Sequence, residues 1–154
     1  MKKLLFLVQI IILFCTLILI FNIGFAKIDG NSMKPKFSDD NLIIYQKFDK
    51  KIRRFDIIVF KIKNDIFIKR VIGLPGETIE YKNNVLYVNG IELQENFNSS
   101  ITKDFNLTTI CSSNLIPSDK ILVLGDNRLY SYDSRDFGLV SINDIKGIFV
   151  LKLL

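Results

Sequence analysis

An uncharged apolar run at residues 4–26 constrains this chain more than any other feature of its sequence. As a helix rising about 1.5 Å per residue, the run reaches roughly 30 Å, the thickness of the hydrocarbon core of a bilayer. A cleaved secretory signal is the alternative, because Lys2 and Lys3 form a basic start and residues 24–26 have a small-x-small pattern. The run exceeds the roughly 7–15 apolar residues of such a signal, so the sequence favours an uncleaved transmembrane anchor.

The anchor divides the chain into a short N-terminus at residues 1–3, the anchor at residues 4–26 and one domain at residues 27–154. Positive charges are equal in number on the two sides of the run, so the positive-inside rule does not fix its orientation. A long domain can be translocated despite its charges. The sequence therefore permits an extracytoplasmic domain without requiring one.

Histidine is absent, and the two cysteines, Cys15 and Cys111, lie far apart. These facts exclude a Ser-His-Asp or Cys-His mechanism, a histidine metal ligand and a disulfide framework. We expect neither a metal nor a cofactor. The net charge is +5, but the sequence has no arginine-rich run, so nucleic acid is not an expected partner. Lysines just beyond the anchor favour contact with anionic lipid instead.

The domain is predicted to be mostly β, with antiparallel sheets. Its apolar residues fall in short β-branched runs bounded by turn residues, and no long stretch has helical periodicity. Asn89 and Gly90 form a strong hairpin signal, and the polar residues 94–118 are expected to form a loop. The predicted strands are at 42–46, 56–62, 66–72, 85–88, 121–124 and 147–154.

The segment GNSMKP at residues 30–35 supports two interpretations. It is rich in turn formers, so an ordinary bend after the anchor is the first. A nucleophilic Ser32 is the second, and without histidine it needs a lysine that burial keeps neutral. Lys69 is the candidate, because strand periodicity places it on one face with Phe67 and Val71, although a lysine on an edge strand extending to solvent is the alternative.

The loop GDNRLYSYDSRDFG at residues 125–138 is a further candidate functional segment, although a plain surface loop with an ion pair has the same composition. As a functional loop it would hold Ser131 near a lysine amine, with Asp133 and Arg135 paired. Arg128 stands where a calcium loop requires Asp or Asn, and residues 73–76 lack the end of a phosphate loop.

The anchor, GNSMKP, FDIIVFK, IKRVIGLPGE and the 125–138 loop occur in one order along nearly the whole chain. Together they resemble the type I signal peptidases, which are Ser-Lys membrane proteases. The resemblance implies that Ser32 is the nucleophile and that Lys69 is the general base. It also implies that Gly30 helps the backbone to approach the substrate, so that backbone N–H groups, including that of Ser32, stabilise the oxyanion.

The resemblance assigns supporting roles to seven further residues. Two shape the turn after the serine, one hydroxyl orients the lysine, two residues form a structural ion pair, and two support the site. In that order they are Met33 and Pro35, Ser131, Asp133 and Arg135, and Arg70 and Asp126. Four positions depart from the family pattern, and they are Lys36, Phe37, Phe55 and Glu77.

The implied activity is removal of signal peptides from secretory preproteins, after small residues at the first and third positions before the cut. The catalytic domain would lie on the extracytoplasmic side of the plasma membrane, with residues 1–3 in the cytoplasm. Two alternatives remain open at this point. They are a self-cleaving Ser-Lys protease, which would cut after Ala26, and a membrane-anchored β domain without enzymatic activity.

Overall fold

The computed structural model describes residues 2–47 and 51–153. Three pieces of the chain lie outside the described residues. They are Met1 of the predicted N-terminus, residues 48–50 of the predicted domain, and Leu154 at the end of the last predicted strand. The apolar run is divided between a helix, α1 (Lys2–Asn22), and the first strand, β1 (Ile23–Lys27). No helix in the described part of the chain is long and apolar enough to cross a membrane, so the anchor stays a prediction.

The rest of the chain forms two antiparallel sheets, as predicted. The strands that follow β1 are β2 (Leu42–Gln46), β3 (Ile57–Ile62), β4 (Asp65–Gly73), β5 (Ile79–Lys82), β6 (Val85–Val88), β7 (Ile91–Leu93), β8 (Phe105–Asn106), β9 (Lys120–Leu124), β10 (Val140–Ser141) and β11 (Ile145–Lys152). The larger sheet has the order β1-β2-β11-β3-β4-β9-β10, and the smaller has the order β7-β6-β5-β8. A short helix, α2 (Ser134–Phe137), and 3₁₀ turns at Leu107–Thr109 and Ile142–Asp144 complete the fold.

All six predicted strands are present within one or two residues of their predicted ends, apart from the undescribed Leu154. The Asn89-Gly90 hairpin is confirmed, because Val88 pairs with Ile91 across it. The predicted loop at 94–118 is confirmed in the main, with β8 and one 3₁₀ turn inside it. The strands not predicted are short or continue the apolar run, so they carry little periodic signal of their own.

β4 is the strand that positions the site, because both of its faces are buried over its second half. Val71 lies in one hydrophobic cluster with Phe60 and Val123, whereas Ile68 lies in another with Met33. A lysine in this part of β4 is therefore held among apolar side chains and away from water.

Candidate active site

Ser32 and Lys69, which are distant in the sequence, are in direct contact. Nζ of Lys69 donates a hydrogen bond to Oγ of Ser32 over 2.6 Å. Lys69 is only 4% exposed. Burial disfavours the ammonium form and lowers the pKa of Lys69 to about 8, although the carboxylates of Asp133 and Asp126 act in the opposite direction. The arrangement provides a hydroxyl beside an amine that is partly neutral near physiological pH.

The turn that carries Ser32 is fixed on two sides. Met33 is buried in the core, and its carbonyl accepts a hydrogen bond from the backbone N–H of Phe37. On the other side, the backbone N–H of Asn127 donates to the carbonyl of Ser32 over 3.0 Å, and the Asn127 side chain donates to the carbonyl of Asn31. The predicted turn and the 125–138 loop are therefore joined at the serine.

Gly30 and Pro35 give this turn its shape. Gly30 has a φ of 83°, a left-handed conformation that favours glycine, and its N–H donates to the Asp39 carboxylate. Pro35 is exposed and follows a cis peptide bond. Both residues lie where the sequence predicted a bend.

Arg70 and Asp126 form a buried bidentate ion pair next to the site. Nε and Nη2 of Arg70 donate to the two Asp126 oxygens over 2.7 and 2.6 Å. The guanidinium also lies 3.9 Å from the centre of the Phe97 ring and donates to the carbonyl of Phe55. Because Arg70 follows Lys69 on β4, the pair fixes this part of the strand to the start of the 125–138 loop.

Asp133 and Arg135 form the predicted ion pair, with Nη2 to Oδ2 at 2.8 Å. Asp133 also caps the first turn of α2, and the side chain of Asp136 accepts a hydrogen bond from the backbone N–H of Asp133. The Asp133 carboxylate also accepts a hydrogen bond from the backbone N–H of Gly125 over 3.1 Å. The pair thus braces both ends of the loop.

Ser131 lies beside the site, but it makes no hydrogen bond to Lys69. Its hydroxyl is buried and has no hydrogen-bond partner within the described residues. Gly125 separates it from the turn that carries Ser32, since a Cβ on Gly125 would lie 2.2 Å from the Ser131 Oγ and 2.5 Å from the Ser32 carbonyl oxygen. The role of Ser131 in orienting the lysine stays a prediction.

Sequence reasoning missed the importance of Gly125 and of Arg128. Arg128 is buried and donates to the carbonyl of Gly125, to the hydroxyl of Tyr81 and to the carboxylate of Glu95. Tyr81 in turn donates to Glu95, and burial raises the pKa of its phenol, which keeps that donor protonated. An arginine in a polar loop gave no signal of burial, because the side chains that pair with it come from β5 and from the segment after β7, which are distant in the sequence.

The four departures from the family pattern have different surroundings. Phe37 packs in the core against Phe149 and Lys36 is exposed, while Phe55 adopts a φ of 70°, a conformation that glycine adopts more easily. Glu77 accepts the backbone N–H of Leu74 and pairs with an arginine, so it closes the turn at 73–76. Each of the three buried or partly buried residues thus has a structural partner.

A groove of about 530 Å³ runs past the serine and the lysine. One wall comes from residues 27–33 and the other from residues 65–69 of β4, with two tyrosines of the 125–138 loop beside them. Residues 65–69 of β4 pair with β3 on one side only, because β9 pairs with β4 from Arg70 onward. The opposite edge of β4 at 65–69 therefore has no strand partner among the described residues. The groove can therefore take an extended peptide as an added strand.

An antiparallel β domain that places a buried lysine against a serine in a peptide-sized groove belongs to the class of serine peptidases that use no histidine. The chain belongs to the signal peptidase family, peptidase S26, whose family model matches residues 1–154.

Two relatives and one solved structure illustrate this membership. The chain is 44% identical to signal peptidase I V of Bacillus subtilis (strain 168), over 79% of this chain and 80% of the relative. It is 41% identical to signal peptidase IB of Staphylococcus aureus, over 78% of this chain and 72% of the relative. A crystal structure of a signal peptidase I from Enterococcus faecalis V583 matches with a TM-score of 0.60 and 40% identity, covering 65% of this chain and 97% of that one.

Proposed function

We propose that the chain is a membrane-attached endopeptidase that removes N-terminal signal peptides from secretory preproteins, with Ser32 as nucleophile and Lys69 as general base. The observation that carries the catalytic assignment is the 2.6 Å contact between a buried lysine amine and the serine hydroxyl. The names of the relatives supply the substrate class. The expected preference is for small residues at the first and third positions before the cut.

The reaction follows from this geometry. Neutral Lys69 takes the proton of the Ser32 hydroxyl while Oγ attacks the scissile carbonyl carbon. The resulting ammonium of Lys69 then protonates the leaving amine, which releases the mature protein and leaves an acyl group on Ser32. Lys69 next takes a proton from a water molecule whose oxygen attacks the ester carbonyl. Lys69 then gives this proton to Oγ of Ser32 as the peptide leaves with its new carboxyl group, which restores the serine hydroxyl and the neutral amine.

Backbone groups are available to stabilise the oxyanion in these steps. The backbone N–H of Ser32 has no hydrogen-bond partner within residues 2–47 and 51–153. It is therefore free to donate to a substrate oxygen. Gly30 carries no hydroxyl that could assist, and the absence of its side chain leaves the approach to this N–H open.

The proposed location is the extracytoplasmic side of the plasma membrane, with the helical part of the apolar run, residues 4–22, as a single-pass anchor and residues 1–3 in the cytoplasm. The predicted end of the anchor at residue 26 is corrected, because residues 23–26 belong to β1 and pair with β2. Many large apolar side chains of α1 are exposed, among them Leu4, Leu13 and Phe21, and lipid would cover them. Ser32 follows α1 by ten residues, so it lies at most about 33 Å from the end of the helix. A cleavage site just beyond an apolar signal segment would emerge at a similar depth.

Self-cleavage after Ala26 is the remaining alternative, and the position of this residue disfavours it. Ala26 lies in β1 and is paired with Ile43 of β2, so the Ala26-Lys27 bond is held in the ladder between these two strands. Sequencing of the N-terminus of the membrane-extracted protein distinguishes the two. A start at Lys27 as the sole product would favour self-cleavage.

The proposed function is tested by cleavage of an Ala-x-Ala preprotein in detergent. Ser32→Ala and Lys69→Ala should each reduce kcat by roughly 10³-fold or more, since the nucleophile and its base act as a unit. Ser38→Ala and Lys82→Ala are matched controls, because both residues are exposed and outside the groove. Full cleavage by either variant of the Ser32–Lys69 pair would refute the assignment.

A further inference from the structure

Three aromatic side chains form one side of the groove next to Lys69. They are Phe67 on β4 and Tyr130 and Tyr132 on the 125–138 loop, and we call them the aromatic wall. Tyr130 is 78% exposed and Tyr132 is 60% exposed, although both are large aromatic residues. The hydroxyl of Ser131 between them is buried. Successive side chains of the loop therefore point inward and outward in turn, and both tyrosines point outward.

The position of Tyr132 is fixed by aromatic packing. Its ring centre lies 6.2 Å from that of Phe67 and 5.4 Å from that of Phe137, the latter edge to face. Phe67 in turn lies 5.9 Å from the amine of Lys69. The wall therefore includes a residue only two positions from the proposed base on β4, and the 125–138 loop supplies its other two residues.

A peptide that pairs with the edge of β4 at 65–69 presents its side chains alternately to two faces. One face is that of Ile68, where Ile28 and Met33 already fill the space and are themselves buried. The other is that of Phe67, where the aromatic wall opens to solvent. We therefore expect the first face to accept small side chains only and the second face to accept a large one.

We propose that the aromatic wall is a specificity subsite for the middle residue of the small-x-small sequence and that it favours aromatic and large aliphatic side chains there. This inference rests on the proposed function, because the small first and third residues occupy the filled face and direct the second residue to the wall. An offset or edge-on contact with Tyr132 or Tyr130 supplies the selectivity.

The test uses the full-length chain in detergent and two quenched peptides that differ only at the middle position, Ala-Phe-Ala and Ala-Ser-Ala. The wild type should cleave the Phe peptide with a kcat/KM about three- to ten-fold above that of the Ser peptide, the range that one aromatic contact provides. Tyr132→Ala should reduce this ratio toward one, and Tyr132→Phe should retain it. Leu129→Ala is the matched control, because Leu129 is exposed on the same loop and does not line the groove.

The possible outcomes separate the inference from the proposed function. If the wild type cleaves neither peptide, the proposed function fails. If it cleaves both with equal kcat/KM, or if Tyr132→Ala and Tyr130→Ala each keep the preference for Phe, the subsite assignment is wrong. If the Tm of Tyr132→Ala shows that this variant unfolds, the ratio of kcat/KM for the two peptides is measured with Tyr130→Ala instead, because Tyr130 is the more exposed tyrosine.

Discussion

The depressed pKa of Lys69 makes a quantitative prediction about pH dependence. With a pKa of about 8, about one tenth of the lysine is neutral at pH 7 and about half at pH 8. With its ordinary pKa of 10.5, only about three molecules in ten thousand would carry the neutral amine at pH 7. Burial thus raises the reactive fraction by roughly 300-fold at neutral pH, and kcat/KM should rise about tenfold per pH unit below pH 8.

The measurement is kcat/KM for a quenched Ala-x-Ala peptide between pH 6 and 10 in detergent, at constant ionic strength. We expect one rising limb with a midpoint near 8 and a plateau above it. Asp133→Asn should move the midpoint to lower pH, because the Asp133 carboxylate raises the pKa of the lysine and asparagine keeps a helix cap. A midpoint at 10 or above would refute the claim that burial activates Lys69.

Three further predictions concern the residues that support the site and Lys69 itself. Asp126→Asn should reduce the free energy of unfolding by about 3–5 kcal/mol, measured by urea titration, because it leaves Arg70 buried without its charge partner. Gly125→Ala should reduce kcat, because the new methyl group would displace the Ser32 carbonyl. Its Tm should fall less than that of Asp126→Asn. Lys69→Met should remove a pH dependence of stability. The pKa of Lys69 is lower in the folded protein than in the unfolded chain, so the free energy of unfolding of the wild type should rise by up to about 3 kcal/mol between pH 8 and 10.5.

Each of these has a contradicting result. An unchanged urea midpoint for Asp126→Asn would mean that the ion pair contributes nothing to stability. A normal kcat for Gly125→Ala would mean that the turn that carries Ser32 tolerates displacement. Equal slopes of stability against pH for the wild type and Lys69→Met, compared in this window because other lysines titrate in both proteins, would mean that Lys69 has its ordinary pKa when folded.

The strands could be predicted because each one carries its own local signal. β2 and β6 match their predicted ranges residue for residue, since β-branched runs bounded by turn residues need no tertiary information. β8 and β10 could not be predicted, because two-residue strands exist only through their pairing with a neighbour. The end of the apolar run at 23–26 joined β1 for the same reason: pairing with β2 determines where the helix ends.

The site divides in the same way. The absence of histidine and the alternation around Lys69 made this lysine the candidate base, and the charged residues of the 125–138 loop together with the family resemblance predicted the pair of Asp133 and Arg135. Neither the burial of Arg128 nor the close packing of Gly125 against Ser131 could be read from local sequence. Both depend on groups that are distant along the chain.

By itself, the sequence determined the chemical types available to this protein: a serine, a lysine on an apolar strand, no histidine, and a predominantly β chain after an apolar run. The tertiary structure alone decided that Nζ of Lys69 lies 2.6 Å from Oγ of Ser32 and that the lysine is desolvated enough for its pKa to fall to about 8. It also decided that two exposed tyrosines face the groove beside Phe67. The physical reason is that composition and periodicity are local properties, whereas desolvation and hydrogen-bond distance depend on which distant segments pack together.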